Sequence, residues 1–94
     1  MLAKFPSDNA KSSKKTMDWQ ILRLGIIAEL DAITLYEQLA TAASDRALKA
    51  VLMDVALEEK THVGEFMTLL VRMDKEQAEE MAKGEEEVDE LSGK

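Results

Sequence analysis

The stretch Glu59-Lys60-Thr61-His62 lies inside a long run with helical periodicity from about Arg46 to Met73. His62 follows Glu59 by three positions, so the two side chains lie on the same face of a helix. The rest of that face is apolar and consists of Leu48, Leu52, Val55, Phe66, Leu70 and Met73. Burying a carboxylate and an imidazole there without partners would cost several kcal/mol. A metal ion bound between them would remove this cost.

A second helix is predicted from Met17 to Ala43, with Thr16 as its N-cap. The segment has no proline and one glycine, and its composition favours helix. Glu29 lies on an otherwise apolar stripe that consists of Leu22, Gly25, Ala32, Ile33, Tyr36 and Ala40. Much of the remaining circumference is apolar too, and such a helix has to be buried on several sides. One partner helix from the same chain cannot do this, so we expect contacts with other subunits.

Ser44 and Asp45 form the predicted turn between these helices, and either residue can cap the second one. A connection this short produces an antiparallel hairpin. Glu29 lies about 15 residues before the turn and Glu59 about 15 residues after it, so we expect both at the same height. His62 lies one turn further along. The spacing therefore predicts that Glu29, Glu59 and His62 converge.

The C-terminal part begins with Asp74-Lys75-Glu76-Gln77, which resembles a capping box with aspartate as the cap. This pattern predicts a short helix that ends near Lys83, because Gly84 favours helix termination. The residues after Gly84 are strongly acidic, and we expect them to form a tail or one further short helix.

The predicted fold is therefore all-α. It has a flexible N-terminal arm (1–15), a domain made of the hairpin and the short helix (16–84) and an acidic C-terminal segment (85–94).

The net charge of −7 argues against nucleic acid as a partner. The absence of cysteine excludes disulfides, cysteine-ligated zinc and iron–sulfur centres. No apolar run approaches the roughly 18 residues that span a membrane, and the N-terminal residues lack the apolar core of a signal peptide. The expected location is the cytoplasm or a compartment within it.

The three converging side chains match half of a known metal site. Carboxylate-bridged di-iron sites in four-helix bundles use a Glu from each of two helices and a Glu-x-x-His from each of the other two. This chain supplies one lone glutamate, Glu29, and one Glu-x-x-His pair, Glu59 and His62. A two-fold homodimer of hairpins would complete a four-helix bundle with four glutamates and two histidines around two metals. Carboxylate and imidazole ligands of this kind suit iron or manganese.

Simpler roles exist for each of these side chains. His62 can be a core histidine bonded to a backbone carbonyl, and Glu59 can belong to a solvated ion pair on the helix surface. Glu29 can be a buried carboxylate that accepts a hydrogen bond from Tyr36. Tyr36 follows Glu29 by two turns on the same face, so it can either approach the metals or serve as a core aromatic.

The segments Glu29-Leu30-Asp31-Ala32-Ile33-Thr34-Leu35-Tyr36 and Glu58-Glu59-Lys60-Thr61-His62, with Asp45 and Leu48 between them, resemble the encapsulated ferritin-like proteins. These are two-helix relatives of ferritin that are found inside encapsulin nanocompartments or fused to the shell protein. The resemblance covers about residues 17–84. It implies that Glu29, Glu59 and His62 are the ferroxidase ligands and Tyr36 the tyrosine of the site. It also implies that Asp31 lines the route by which metal enters.

The resemblance further implies a di-iron centre between two subunits, with two iron ions per subunit pair, and a ring of dimers, typically a decamer. Its activity would be the oxidation of Fe(II) by O₂, with the mineral held by the encapsulin shell in the cytoplasm. The chain departs from the family at Leu35, where a tryptophan is common, and at Ala28, where a carboxylate often lies near the metal route. It also lacks an apolar C-terminal docking peptide. We therefore expect a truncated form or a chain that continues into a shell domain.

Two other functions compete with the ferroxidase. A rubrerythrin-like di-iron peroxidase would use the same ligands, but it needs an electron donor, and a chain without cysteine has no rubredoxin-type centre. A metal-free helical oligomerisation module would need no ligands at all.

Overall fold

The computed structural model describes residues 14–93, and this part of the chain forms three α-helices and no strand. Helix α1 spans Lys14–Ala42, α2 spans Arg46–Met73 and α3 spans Lys75–Ser92. The all-α prediction is confirmed, and the bounds of α2 are those that the sequence predicts.

Helices α1 and α2 form an antiparallel hairpin. Ion pairs between them show the direction: Arg23 of α1 pairs with Asp74 just beyond α2, whereas Glu37, later in α1, pairs with Lys60, earlier in the chain. The turn is closed by Asp45, whose Oδ2 accepts a hydrogen bond from the backbone N–H of Leu48 at 2.8 Å. This is an N-cap contact that satisfies one of the free N–H groups of the first turn of α2.

The start of α1 differs from the prediction. The helix is already formed at Lys14, so Thr16 lies inside its first turn and is not the N-cap. Lysine has a high helix propensity, and the Lys15 ammonium lies 5.8 Å from the ring centroid of Trp19, one turn later. That distance allows a cation–π contact that supports the helical conformation. The predicted flexible arm otherwise lies outside the described residues.

The end of α3 corrects a second prediction. Asp74 caps the helix as expected, and its Oδ1 accepts from the backbone N–H of Gln77 at 3.2 Å. However, Gly84 does not stop the helix, which continues to Ser92 and ends at Gly93 with φ 79°. An isolated glycine costs a helix only about 1 kcal/mol. The glutamates after Gly84 favour helix, so the acidic segment is helical through Ser92 and not a tail.

The hairpin buries little apolar surface. The buried apolar residues among those described are Ile26, Ala40, Ala56 and Leu70. Many large apolar side chains on both long helices are exposed, among them Ile21, Leu30, Leu35, Leu39, Leu48, Val51, Leu57 and Leu69. Large exposed apolar patches are typical of surfaces that interact with other molecules.

Candidate metal centre

Glu29, Glu59 and His62 come together in the middle of the hairpin. One ligand atom from each residue lies within 4.8 Å of those of the other two. Glu29 is contributed by α1, and Glu59 and His62 are contributed by successive turns of α2. The antiparallel register brings the two helices to the same height at this point.

A single imidazole nitrogen faces both carboxylates. Nδ1 of His62 lies 3.4 Å from Oε2 of Glu29 and 3.3 Å from Oε2 of Glu59. These distances are longer than the usual 2.7–3.2 Å of an N–H···O hydrogen bond. One nitrogen carries at most one proton, so it cannot fully satisfy both carboxylates at once. A divalent cation can bind all three atoms together, so the donor set fits a metal.

In the described part of the chain, the charge of this cluster is only partly balanced. The side chains of Glu29 and Glu59 are only 19% and 18% exposed, whereas that of His62 is 42% exposed. Within residues 14–93, His62 is the only basic side chain that pairs with either carboxylate. The neighbouring Lys60 points away from the cluster and lies 3.6 Å from Glu37. Two partly buried carboxylates with so little compensation favour binding of a cation.

The simpler roles considered for these side chains are not what the structure shows. His62 presents Nδ1 to two carboxylates and not to a backbone carbonyl. Glu59 is largely shielded from solvent. Glu29 faces His62, and no hydrogen bond joins Glu29 to Tyr36 in the described part of the chain.

Tyr36 and Asp31 lie outside the cluster within one chain. Tyr36 is half-buried and lies about 10 Å beyond Glu29 along α1, at 1.5 Å per residue. It makes no hydrogen bond to the three side chains among the described contacts. Asp31 is exposed on α1 and is not among the carboxylates that approach His62. The single chain therefore does not bring either residue to the three candidate ligands.

The cluster opens towards an exposed apolar surface. On a helical wheel of about 100° per residue, the Glu37–Lys60 pair marks one side of the hairpin, and the exposed ring of His62 lies on the other. That other side carries a set of exposed apolar residues, here called the apolar flank: Ile21, Leu35, Leu39, Val51 and Leu69. The sequence indicated that α1 is apolar nearly all round, but it did not show that the flank and the opening coincide.

No helix among the described residues is long and apolar enough to cross a membrane. The EncFtn-like family matches residues 5–84 of the chain. A ferritin-like-encapsulin shell fusion protein of Pyrococcus furiosus is 60% identical over 74 residues, which are 79% of this chain and 21% of that protein. The encapsulin nanocompartment cargo protein EncC of Myxococcus xanthus is 46% identical over 57 residues, which are 61% of this chain and 44% of that protein. The chain thus spans less than half the length of these two relatives.

A solved structure agrees with the sequence comparisons. The crystal structure of the encapsulated ferritin domain from Pyrococcus furiosus aligns with a TM-score of 0.83 at 50% identity. The alignment covers 100% of this chain and 98% of that one, so it includes all three helices. Taken with the match over residues 5–84, this likeness shows that the chain belongs to the EncFtn-like family of encapsulated ferritin-like proteins.

Proposed function

We propose that this chain is a ferroxidase, which oxidises Fe(II) to Fe(III) at a di-iron centre formed between two subunits. The observation that carries the proposal is the convergence of Glu29, Glu59 and His62 within 4.8 Å. Family membership supports iron handling, and the donor set of two carboxylates and one imidazole suits iron.

Two chains are needed because one chain supplies only three ligands. A two-fold axis beside the cluster would bring the same three residues from a second hairpin and give four glutamates and two histidines. The apolar flank lies on the side where the cluster opens, so pairing flank against flank would bury exposed apolar surface and enclose the centre. The pair of hairpins would then form a ferritin-like four-helix bundle.

Each side chain has a definite task in this centre. His62 would bind through Nδ1, since that atom already faces both carboxylates. Glu29 and Glu59 would supply the negative charge that holds the ions, and the flank would exclude water. Bound as a pair, iron would supply one electron per ion to O₂.

Two further residues take part only in the assembled protein. Tyr36 lies towards the flank on the helical wheel of α1, which would bring it to the wall of the centre when two hairpins pair. Asp31 is exposed, and we assign it to the route by which Fe(II) arrives.

The relatives support a proposed setting for the reaction. One is fused to an encapsulin shell and the other is named as encapsulin cargo. From the resemblance to the encapsulated ferritin-like proteins, we propose that the chain assembles into a ring of dimers, with a decamer as the expected assembly. The ring would lie inside an encapsulin nanocompartment in the cytoplasm, where the shell would collect the Fe(III) product.

The test combines crystallography with measurements of iron oxidation by the separated oligomer and monomer. Crystals loaded with Fe(II) should show, in anomalous data at the iron edge, two iron peaks for each pair of chains, bounded by Glu29, Glu59 and His62. In solution, gel filtration should separate an active oligomer from a monomer that does not oxidise iron. A monomer as active per chain as the oligomer would contradict the shared centre. Faster turnover with hydrogen peroxide than with O₂ would favour the peroxidase instead.

A further inference from the structure

The corner between α2 and α3 consists of one residue, Asp74, whose backbone is extended at φ −112° and ψ 94°. The direction of α3 therefore depends on the two torsion angles of a single residue. Helix α3 has no buried residue, and within residues 14–93 it does not pack against α1. Apolar packing alone gives this helix little to fix its direction.

Asp74 is bonded to all three helices. Its backbone N–H donates to the carbonyl of Leu70 in α2 at 2.8 Å. Oδ1 accepts from the backbone N–H of Gln77 in α3 at 3.2 Å, and Oδ2 accepts from Nη2 of Arg23 in α1 at 2.8 Å. The side chain is 8% exposed. The Arg23 side chain is 48% exposed, so the pair is shielded from water on the carboxylate side. A charge-assisted bond of this length is among the stronger polar contacts in proteins.

A second contact joins α1 to the same corner. The indole N–H of Trp19 donates to the carbonyl of Met73 at 3.2 Å. This carbonyl belongs to the last turn of α2, where carbonyl groups lack a partner within the helix. Trp19 and Arg23 are one turn apart, so one face of α1 holds the end of α2 and the start of α3 together.

We propose that the Arg23–Asp74 pair is a lock that fixes the direction of α3, and that assembly of the subunits depends on this lock. Helix α3 carries an exposed apolar stripe that consists of Met81, Val88 and Leu91, at spacings of seven and three residues. Held in its present direction, α3 does not fold back over the apolar flank. Stripe and flank both remain available to other copies of this chain. The lock lies outside the Glu29, Glu59 and His62 cluster, so it does not depend on the proposed iron chemistry.

The test measures the direction of α3 in the full chain. The protein has no cysteine, so spin labels on the exposed positions Gln38→Cys and Glu86→Cys report one distance between α1 and α3. Labelled chains are diluted with unlabelled chains to remove distances between subunits. We expect a single narrow distance distribution. Arg23→Gln and Asp74→Asn should each make it broad or shift it, and should lower the oligomer mass measured by native mass spectrometry.

The choice of variants separates the lock from helix capping. Asp74→Asn keeps a good N-cap residue and removes only the charge. The double variant should be no worse than either single variant, because both remove the same interaction. Should the charge variants fail to fold, Trp19→Phe removes the indole N–H donor while keeping an aromatic ring. It should still broaden the distribution to a smaller degree.

Lys60→Gln is the matched control, because it breaks the exposed Glu37–Lys60 pair and leaves the corner intact. It should retain the narrow distribution and the parent mass. Narrow, unshifted distributions in both Arg23→Gln and Asp74→Asn would overturn the lock. So would a distribution that broadens equally in the Lys60→Gln control. A broad distribution with the parent oligomer mass would overturn its role in assembly.

Discussion

The corner at Asp74 and the cluster of Glu29, Glu59 and His62 both join α1 to a later part of the chain through carboxylates and basic groups. The two sites differ in their balance of charge. At the corner, one guanidinium meets one carboxylate, and Arg23 lies 2.8 Å from Asp74. In the centre, two carboxylates share one imidazole nitrogen at 3.3 and 3.4 Å. Among residues 14–93, the carboxylate at the corner has one full positive partner, whereas the two carboxylates of the cluster share one imidazole at longer distances. We infer that the corner serves the shape of the subunit and that the centre serves a cation.

The largest expected effect comes from removing a ligand of the centre. Glu59→Ala and His62→Ala should each abolish iron oxidation, because every chain gives only three ligands and each loss occurs twice in a shared centre. The helices should remain intact, since these side chains add little to the core. Rates of iron oxidation and far-ultraviolet circular dichroism measure the two effects.

Glu65→Ala is the control for this experiment. Glu65 lies on the same helix as the ligands and is exposed, so its loss should leave both measurements unchanged. Rates near those of the parent protein in both ligand variants would refute the proposed centre.

A smaller effect is expected from Glu29→Gln, which removes one charge at nearly constant shape. The apo protein should become more stable, because two like charges no longer face each other in a shielded site. Iron affinity should fall by more than the roughly 10- to 100-fold that loss of an outer-shell partner costs. Thermal melts of the apo protein and iron titrations measure these opposite changes. Unchanged iron stoichiometry and affinity would exclude Glu29 from the centre.

The comparison also shows which features the sequence could predict. The bounds of α2, the caps Asp45 and Asp74 and the convergence of Glu29 with Glu59 and His62 depend on local spacing and on a short turn. Local rules are sufficient for these features because the turn fixes the register of two long helices.

Other features were out of reach of local rules. The contact between Arg23 and Asp74 joins residues 51 positions apart, and nothing in the pattern around either residue indicates the other. The propensity of Gly84 by itself predicts a helix end, but the glutamates that follow favour helix and outweigh this cost. The place of Tyr36 and Asp31 depends on a second chain, which a single sequence does not position.

The smallest expected effect tests whether charge balance at a pair is enough to make it structural. Lys60 and Glu37 are also matched one to one, but they lie 3.6 Å apart and both are substantially exposed. Exposed pairs contribute about 0.2–1 kcal/mol, so Lys60→Gln should lower the free energy of unfolding by no more than this. Arg23→Gln leaves the Asp74 carboxylate shielded from water without its ion-pair partner, and we expect the free energy of unfolding to fall by about 1–3 kcal/mol.

Urea titrations measure the free energy of unfolding of both variants. All samples are held at one protein concentration, because association of the chains adds to the apparent stability. Raising the salt concentration should reduce the Lys60 effect more than the Arg23 effect. Asp74 is only 8% exposed, whereas both partners of the Lys60 pair are exposed to solvent ions. Equal losses in the two variants would show that burial does not distinguish the corner from the surface.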